Sequence, residues 1–152
     1  MLYIFMGPSC TGKSTAVKRI KEILDVEVFT GKDYLRMAKD ENEAWQLFYD
    51  KLLVAASSAE DSAKDSIIYL ITEKEELMRI ADIENACRIR FTAPLETVKE
   101  RFSHRMNGRL PQPVEKMLER QYTDWEDMDG DLIVNTSQSD DLKKIIELFE
   151  VV

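Results

Sequence analysis

The first 24 residues constrain the fold more than any other stretch of the chain. Residues 2–6 form the apolar run LYIFM, which is rich in strand formers, and the loop GPSCTGKS follows at once over residues 7–14. From residue 15 to residue 24 the apolar side chains recur at helical spacing. The sequence therefore predicts a buried strand, a tight loop and a helix in direct succession.

The loop matches the phosphate-binding pattern G-x-x-x-x-G-K-[ST] at every fixed position. Gly7 and Gly12 permit backbone angles that a side chain would forbid, so successive N–H groups can point inward at an anion. The helix that begins near Lys13 adds its positive N-terminal end. We expect Lys13 to lie at the surface of the site as a mobile cation for the β- and γ-phosphates, and Ser14 to offer its hydroxyl to Mg²⁺.

The predicted nucleotide-binding part of this loop comprises Gly7, Ser9, Cys10, Thr11, Gly12, Lys13, Ser14 and Thr15. The alternative is a glycine-rich turn that binds nothing. The strand before the loop and the helix after it are the context that the phosphate-binding motif requires, and they favour phosphate binding.

The composition indicates one acidic domain. A chain of 152 residues is long enough to bury a proper core, and we predict a single domain over 1–152. The net charge of −8 argues against nucleic-acid and anionic-membrane partners. With no leader or long apolar stretch, and with Cys10 and Cys87 not resembling a disulfide framework, we expect a cytoplasmic monomer or homodimer.

Strand and helix patterns alternate along the rest of the chain, which favours an α/β fold with a parallel sheet covered on both faces. Further strands are predicted near residues 26–29, 66–71, 88–91 and 131–135, and further helices near 33–39, 43–56, 72–81, 94–102, 114–125 and from 140 onward. Thr72 and Glu75 are predicted to form a capping box. Two segments do not fit the alternation of strands and helices: a helical insert of roughly 33–65 and a basic stretch of roughly 103–125.

This layout resembles the small phosphate-loop kinases: nucleoside-monophosphate, shikimate and gluconate kinases and antibiotic phosphotransferases of that shape. The resemblance covers nearly the whole chain. It implies a three-layer α/β/α sandwich with a five-stranded parallel sheet of order 2-3-1-4-5, a substrate-binding insert after the second strand and a lid after the fourth. It also implies ATP as the phosphoryl donor, together with Mg²⁺.

The basic stretch contains an R-x-x-G-R sequence that is similar to the adenylate-kinase lid. The resemblance implies that Arg105 lies against the base and that Arg109 contacts the β/γ-phosphates, tasks that suit a planar guanidinium. Arg120 is similar to an arginine that guanylate kinases carry after the lid, where it would reach the transferred phosphoryl group. Arg101 competes with Arg105 for the base. The alternative for each arginine is an exposed helix charge.

The acceptor side departs from these families. The segment after the second strand is helical, unlike the small sheet domain of guanylate kinases, and Asp33 stands alone where shikimate kinases carry D-x-D. We expect Asp33 to orient the acceptor or help hold Mg²⁺ at the mouth of the sheet, the alternative being a helix N-cap. Lys32 and Arg36 are nearby cations for an anionic acceptor. Thr72-Glu73 is the nearest candidate for holding a Mg²⁺-bound water.

The sequence therefore predicts an ATP-dependent phosphotransferase that moves the γ-phosphoryl group to a small-molecule acceptor, a nucleoside monophosphate or a similar anionic metabolite. The expected catalytic residues are Lys13, Arg109, Arg120 and Asp33, and the expected metal-binding residues are Ser14 and Asp33. The alternative is a nucleotide-binding regulatory ATPase without a small acceptor. Trp45, Phe48 and Tyr49 are expected to form the core of the insert, and His104 is expected to be solvated.

Overall fold

A computed structural model describes residues 1–57, 66–136, 143–145 and 147. Its strands are β1 (Leu2–Met6), β2 (Glu27–Thr30), β3 (Ile67–Ile71), β4 (Ala86–Thr92) and β5 (Leu132–Asn135). Its helices are α1 (Lys13–Ile23), α2 (Glu41–Ser57), α3 (Lys74–Met78), α4 (Leu95–Arg105) and α5 (Gln112–Glu126), with a short 3-10 helix at Asp33–Met37. Residues 58–65 of the predicted insert and most of the predicted last helix lie outside the described residues.

The five strands form one parallel sheet in the order β2-β3-β1-β4-β5, which confirms the predicted topology. β1 lies in the middle, with Leu2 beside Ile67 of β3 on one side and Ala86 of β4 on the other. Every residue of β1 and β3 is buried. This burial explains why both strands are continuous apolar runs in the sequence, since helices cover both faces of a parallel sheet.

Each face of the sheet has its own apolar core, because successive strand side chains point to opposite faces. Leu2, Ile4 and Met6 of β1 share a core with Phe48 and Leu52 of α2. The intervening residues of β1 and the buried face of α1 form the second core, whose members include Tyr3, Phe5, Ala16, Val17 and Ile20. The two layers of helices therefore position the loop at residues 7–14 at the carboxyl edge of the sheet.

The predicted capping box was placed one residue too early. The box forms between Glu73 and Glu76: the Glu73 side chain accepts from the backbone N–H of Glu76, and the Glu76 carboxylate accepts from the Glu73 N–H at 3.3 Å. Thr72 stays outside the helix, where its carbonyl oxygen accepts from the indole N–H of Trp125 at 2.7 Å. A tertiary hydrogen bond thus decides the start of α3.

Two other predicted details differ. α3 ends at Met78, three residues before the predicted end near residue 81. Beyond it the chain continues in single hydrogen-bonded turns, and these turns bury Ile80 and Ile83. Leu47, predicted to lie on the inner face of α2, is 47% exposed. None of the helices in the described part of the chain has the length and apolar character needed to cross a membrane.

Candidate functional site

The phosphate-binding loop requires its two glycines for two different close approaches. Gly7 has φ +145°, and a Cβ added there would lie 2.3 Å from the carbonyl oxygen of Phe91 on β4. Gly12 has φ +90°, and its added Cβ would lie 2.8 Å from the side chain of Thr136. A side chain at either position would meet both backbone strain and a neighbouring atom. The two glycines of the motif are therefore required by the close packing of the loop against Phe91 and Thr136.

The loop borders an open cavity of about 160 Å³. Its lining brings together nearly all of the predicted nucleotide-binding residues, namely Ser9, Cys10, Thr11, Gly12, Lys13, Ser14, Thr15 and Arg105, and also includes Thr72. Gly7 lies at the foot of the loop, where its N–H donates to the carbonyl oxygen of Ile71 at 3.1 Å. Arg109, Arg120 and Asp33 do not line this cavity.

Lys13 is buried, with 6% of its surface exposed, and the expectation that it lies at the surface is wrong. Its Nζ donates to the carbonyl oxygens of Gly7 and Pro8, the latter at 2.8 Å, so the side chain folds back across its own loop. Burial lowers the pKa of Lys13 to about 7, against the opposing influence of Cys10, Glu76 and Glu73. A neutral amine still carries two N–H groups, enough for both carbonyl bonds.

Side chains from the loop itself and from other elements hold the loop backbone in place. Thr11 donates from its hydroxyl to the Pro8 carbonyl at 2.7 Å, and Thr136 donates to the Thr11 carbonyl at 2.9 Å. Arg101 of α4 donates to the Cys10 carbonyl at 2.9 Å and to the Thr136 hydroxyl at 3.0 Å. The Arg101 guanidinium therefore supports the loop in this structure, and Arg105 is the arginine that lines the cavity.

Glu73 lies where β3 meets α3, and α5 holds its carboxylate. Arg120 forms two bonds to it, at 3.2 and 3.3 Å, and also pairs with Asp124 at 3.2 Å. Gln121 donates from Nε2 to Glu73 at 3.0 Å. Burial disfavours the charged form of Glu73, but the bonds from Arg120 and Gln121 outweigh it and lower the pKa of the carboxyl group.

Gln121 is a site residue that the sequence analysis missed. It is 2% exposed, and its Oε1 accepts from the backbone N–H of Ser9 in the phosphate loop at 3.0 Å. The only signal in the sequence was a polar residue on the inward-facing side of a predicted helix. A buried glutamine has many possible partners, and the sequence does not say which one it meets.

The predicted lid consists of the end of α4, an exposed turn and α5. Asn107 and Gly108 have φ of +59° and +84° in the turn between the two helices. Arg109 is exposed in this turn, and His104 is exposed as expected. A small core that includes Val98, Leu118 and the loop residue Cys10 joins α4 and α5 to the phosphate loop.

Asp33 follows the carboxyl end of β2, as predicted. Its Oδ2 accepts from the Thr30 N–H at 2.9 Å, and its Oδ1 lies 3.9 Å from Nη2 of the exposed Arg36. The cap of the following 3-10 helix is Lys32, without a side-chain capping bond, so Asp33 is not the N-cap considered as its alternative. It closes the turn after β2 and keeps one oxygen toward Arg36.

The insert contains an aromatic cluster, as expected. Phe48 is fully buried, its ring centroid lies 4.9 Å from that of Tyr69, and Trp45 packs edge-on against Tyr34 at 5.1 Å. The sequence did not indicate the role of Arg79. Its guanidinium lies 3.6 Å from the centroid of the Trp45 ring and donates to the Tyr34 hydroxyl at 3.1 Å, a stacked and bonded arrangement that fixes the charge.

Glu76 lies between the phosphate loop and the insert, and the sequence analysis also missed it. Its Oε2 is buried and has no hydrogen-bond partner among the described residues. Burial raises the pKa of this carboxyl group, and the charge of Glu73 adds to the effect, while Lys32 and Lys13 oppose it. Glu76 therefore has an acceptor oxygen free for a donor, within electrostatic reach of Lys13 and Lys32.

Two side chains fit a magnesium ion: Ser14 in the cavity lining, and Glu73, which is not part of that lining. Within the described ranges no three His, Cys, Asp or Glu side chains converge on one point. Ser14 lines the cavity, and Glu73 lies within electrostatic reach of Lys13. A hydroxyl and a carboxylate are hard oxygen donors, and Mg²⁺ commonly binds one or two such groups together with waters and substrate phosphates.

No protein-family model matches this chain, and no curated protein matches it. Solved structures do. The YorR protein from Bacillus subtilis, in complex with phosphorylated GDP, is 24% identical with a TM-score of 0.61, over 99% of this chain and 96% of that one. Shikimate kinase from Acinetobacter baumannii, in complex with shikimate, is 14% identical with a TM-score of 0.61, over 99% and 93%.

A gluconokinase from Sinorhizobium meliloti is 16% identical with a TM-score of 0.58, over 98% of this chain and 95% of that one. The matches span 98–99% of this chain and 93–96% of the other chains. Together with the sheet order, they show that this chain has the fold of the small phosphate-loop kinases.

Proposed function

We propose that this chain is an ATP-dependent phosphotransferase that moves the γ-phosphoryl group of ATP to a small-molecule acceptor. The observation that carries the proposal is the cavity lined by residues 9–15 of the phosphate loop and the start of α1, with Lys13 and Arg105 both in its lining. The names of several structural neighbours support it, since they include a shikimate kinase and a gluconokinase.

The donor side uses groups that are already in place. The loop N–H groups and the N-terminus of α1 bind the phosphates. Lys13 releases its carbonyl partners, takes up a proton and offsets charge on the phosphoryl oxygens. Ser14 and, through water, Glu73 would hold Mg²⁺, which would neutralise phosphate charge when bound. Arg105 lies against the base, and Arg109 and Arg120 act at the β/γ-phosphates once the lid closes.

The acceptor side supports an anionic acceptor that carries a hydroxyl or phosphate oxygen to be phosphorylated. Lys32, Arg36 and Arg79 supply cations, and Asp33 orients the accepting group. The buried free oxygen of Glu76 adds a hydrogen-bond acceptor that a hydroxyl or amino group can satisfy. A nucleoside monophosphate or a similar anionic metabolite fits this mixture, and the ligands named for YorR and shikimate kinase are anionic too.

The remaining expectations stay part of this proposal. We propose one domain over 1–152, with the acceptor insert at roughly 33–65 and the lid at roughly 103–125. The net charge of −8 supports a partner that is a small molecule and not nucleic acid or an anionic membrane. A cytoplasmic monomer or homodimer is consistent with two free cysteines in the described residues.

The test is an acceptor screen. The purified chain is incubated with ATP, Mg²⁺ and a panel of nucleoside monophosphates, nucleosides, shikimate, gluconate and aminoglycosides, and ADP formation and product mass are measured. We expect ADP formation that depends on one acceptor class. Phosphate release that no acceptor stimulates would favour the regulatory ATPase. Absence of ATP binding by calorimetry would overturn both functions.

A further inference from the structure

Gln121 joins the phosphate loop to Glu73 through one buried side chain. Its Oε1 accepts from the Ser9 N–H and its Nε2 donates to Glu73 Oε1, both at 3.0 Å. An amide oxygen cannot donate and an amide nitrogen cannot accept, so these two partners fix the orientation of the group. The loop, α5 and the residue after β3 therefore form one hydrogen-bonded unit.

The backbone that carries Gln121 is anchored independently. Trp125, one turn further along α5, is 1% exposed and donates from its indole N–H to the Thr72 carbonyl at 2.7 Å. Leu118, nearly one turn earlier, is fully buried. With a buried residue on each side, Gln121 has little freedom to move away from Glu73.

Arg120 also holds Glu73, but in a different way. Its side chain is 54% exposed and is shared between Glu73 and Asp124. An exposed arginine can exchange one anionic partner for another, because water and the new anion replace the lost bonds. Gln121 cannot exchange partners in this way, because its amide is buried and moving it would break the bonds to Glu73 and to the partly buried N–H of Ser9 together.

We propose that Gln121 is a positioning residue that keeps the Glu73 carboxylate in its place beside Lys13 when Arg120 leaves Glu73 for the phosphates of the bound nucleotide. This inference rests on the proposed function. It predicts that the magnesium-dependent part of nucleotide binding depends on Gln121. Residues that orient a metal ligand from behind typically change metal affinity by about 10–100-fold when they are replaced.

The test measures binding of a non-hydrolysable ATP analogue by calorimetry, once with Mg²⁺ and once with EDTA. The measured ratio is the dissociation constant in EDTA divided by the dissociation constant with Mg²⁺. Gln121→Met keeps an apolar stem of similar length but removes both hydrogen bonds. We expect it to reduce the wild-type ratio by about 10-fold or more, with the affinity in EDTA near that of the wild type. Gln46→Met is the matched control, because the exposed Gln46 also donates to a carboxylate, Asp50, at 2.9 Å.

A double-mutant cycle separates positioning from simple support of the loop. In a Glu73→Gln background, Gln121→Met is expected to change the ratio no further, because its effect passes through Glu73. Equal loss of affinity with and without Mg²⁺, or an undiminished ratio, would overturn the inference. If melting shows that Gln121→Met is unfolded, Gln121→Glu replaces it, since it keeps an acceptor for Ser9 and must show the same reduced ratio. A wild-type protein that binds no analogue would instead overturn the proposed function itself.

Discussion

The two sides of the candidate site differ in the groups that they present, backbone N–H groups on one side and side chains on the other. The proposed donor side, comprising the loop at residues 7–14 with Glu73 and α5, offers mainly backbone N–H groups whose directions depend on Gly7 and Gly12. The acceptor side, comprising the 3-10 helix, α2 and Arg79, presents side chains held by one another, as in the stack of Arg79 on Trp45. The geometry of the donor side depends on backbone conformation, and the geometry of the acceptor side depends on side-chain packing.

This difference explains why only one side resembles known families. A backbone cradle needs the same residue types at the same spacing whatever the rest of the chain contains, so its pattern persists. A set of side chains can meet the same chemical need from many positions, and the proposed acceptor residues Asp33, Glu76 and Arg79 come from two separate elements, the 3-10 helix and α3 with its C-cap. The donor is therefore expected to be common to proteins of this fold, and the acceptor to be particular to this chain.

Removing the Lys13 amine should have the largest effect. In Lys13→Met the apolar stem stays buried, and the charge offered to the phosphoryl group is lost. We expect acceptor-dependent turnover to fall by at least about 1000-fold, the upper range for deletion of one transition-state contact. Turnover is measured by coupled ADP formation, and the fold by circular dichroism and thermal melting. Lys18→Met, an exposed lysine on the same helix, is the control and should behave as wild type.

Asp33→Asn tests the acceptor side without disturbing the turn after β2. The new side-chain oxygen can still accept from the Thr30 N–H, so the fold should be kept. We expect turnover to fall by about 100-fold if Asp33 accepts a proton or orients the acceptor, with analogue affinity unchanged. Asp40→Asn is the control, since Asp40 makes a comparable bond to the Glu43 N–H away from the cavity. Weakened binding of ATP with Mg²⁺ alone would place Asp33 in the metal site instead.

The sequence predicted the loop at residues 7–14 and the sheet because both depend on local patterns. Continuous apolar runs identified β1 and β3, and the spacing of Gly7, Gly12 and Lys13 identified the loop. Burial of Lys13 was not predictable, because it depends on carbonyl groups that the folded loop turns inward. Gln121 was missed for a similar reason, since its partners Ser9 and Glu73 lie 112 and 48 residues away in the chain.

The dependence of the donor side on backbone conformation can be tested on two glycines. Gly7 and Gly108 both have positive φ, but only at Gly7 does an added Cβ meet an atom, whereas nothing lies within 4 Å at Gly108. We expect Gly108→Ala to cost about 1 kcal/mol of unfolding free energy from strain alone. Gly7→Ala should cost about 1–3 kcal/mol more, from overpacking against Phe91. Urea denaturation measures both, and equal losses would mean that the close approach to β4 contributes nothing.

The smallest expected effect is a proton taken up when the donor binds. With a pKa of about 7, Lys13 is mostly neutral in the free protein at pH 8, and the phosphates of a bound nucleotide favour its charged form. The nucleotide phosphates, with a second pKa of about 6, are already deprotonated there and supply no proton. Binding at pH 8 should therefore take up close to one proton, and binding at pH 6 much less, because Lys13 is then already charged. Affinity should accordingly fall by up to about tenfold per pH unit above 7.

Calorimetry in two buffers of different ionisation enthalpy measures the proton uptake, which Lys13→Met should abolish. Equal heats in both buffers for the wild type would mean that Lys13 is already charged in the free loop, and that the donor side meets its ligand with its full positive charge.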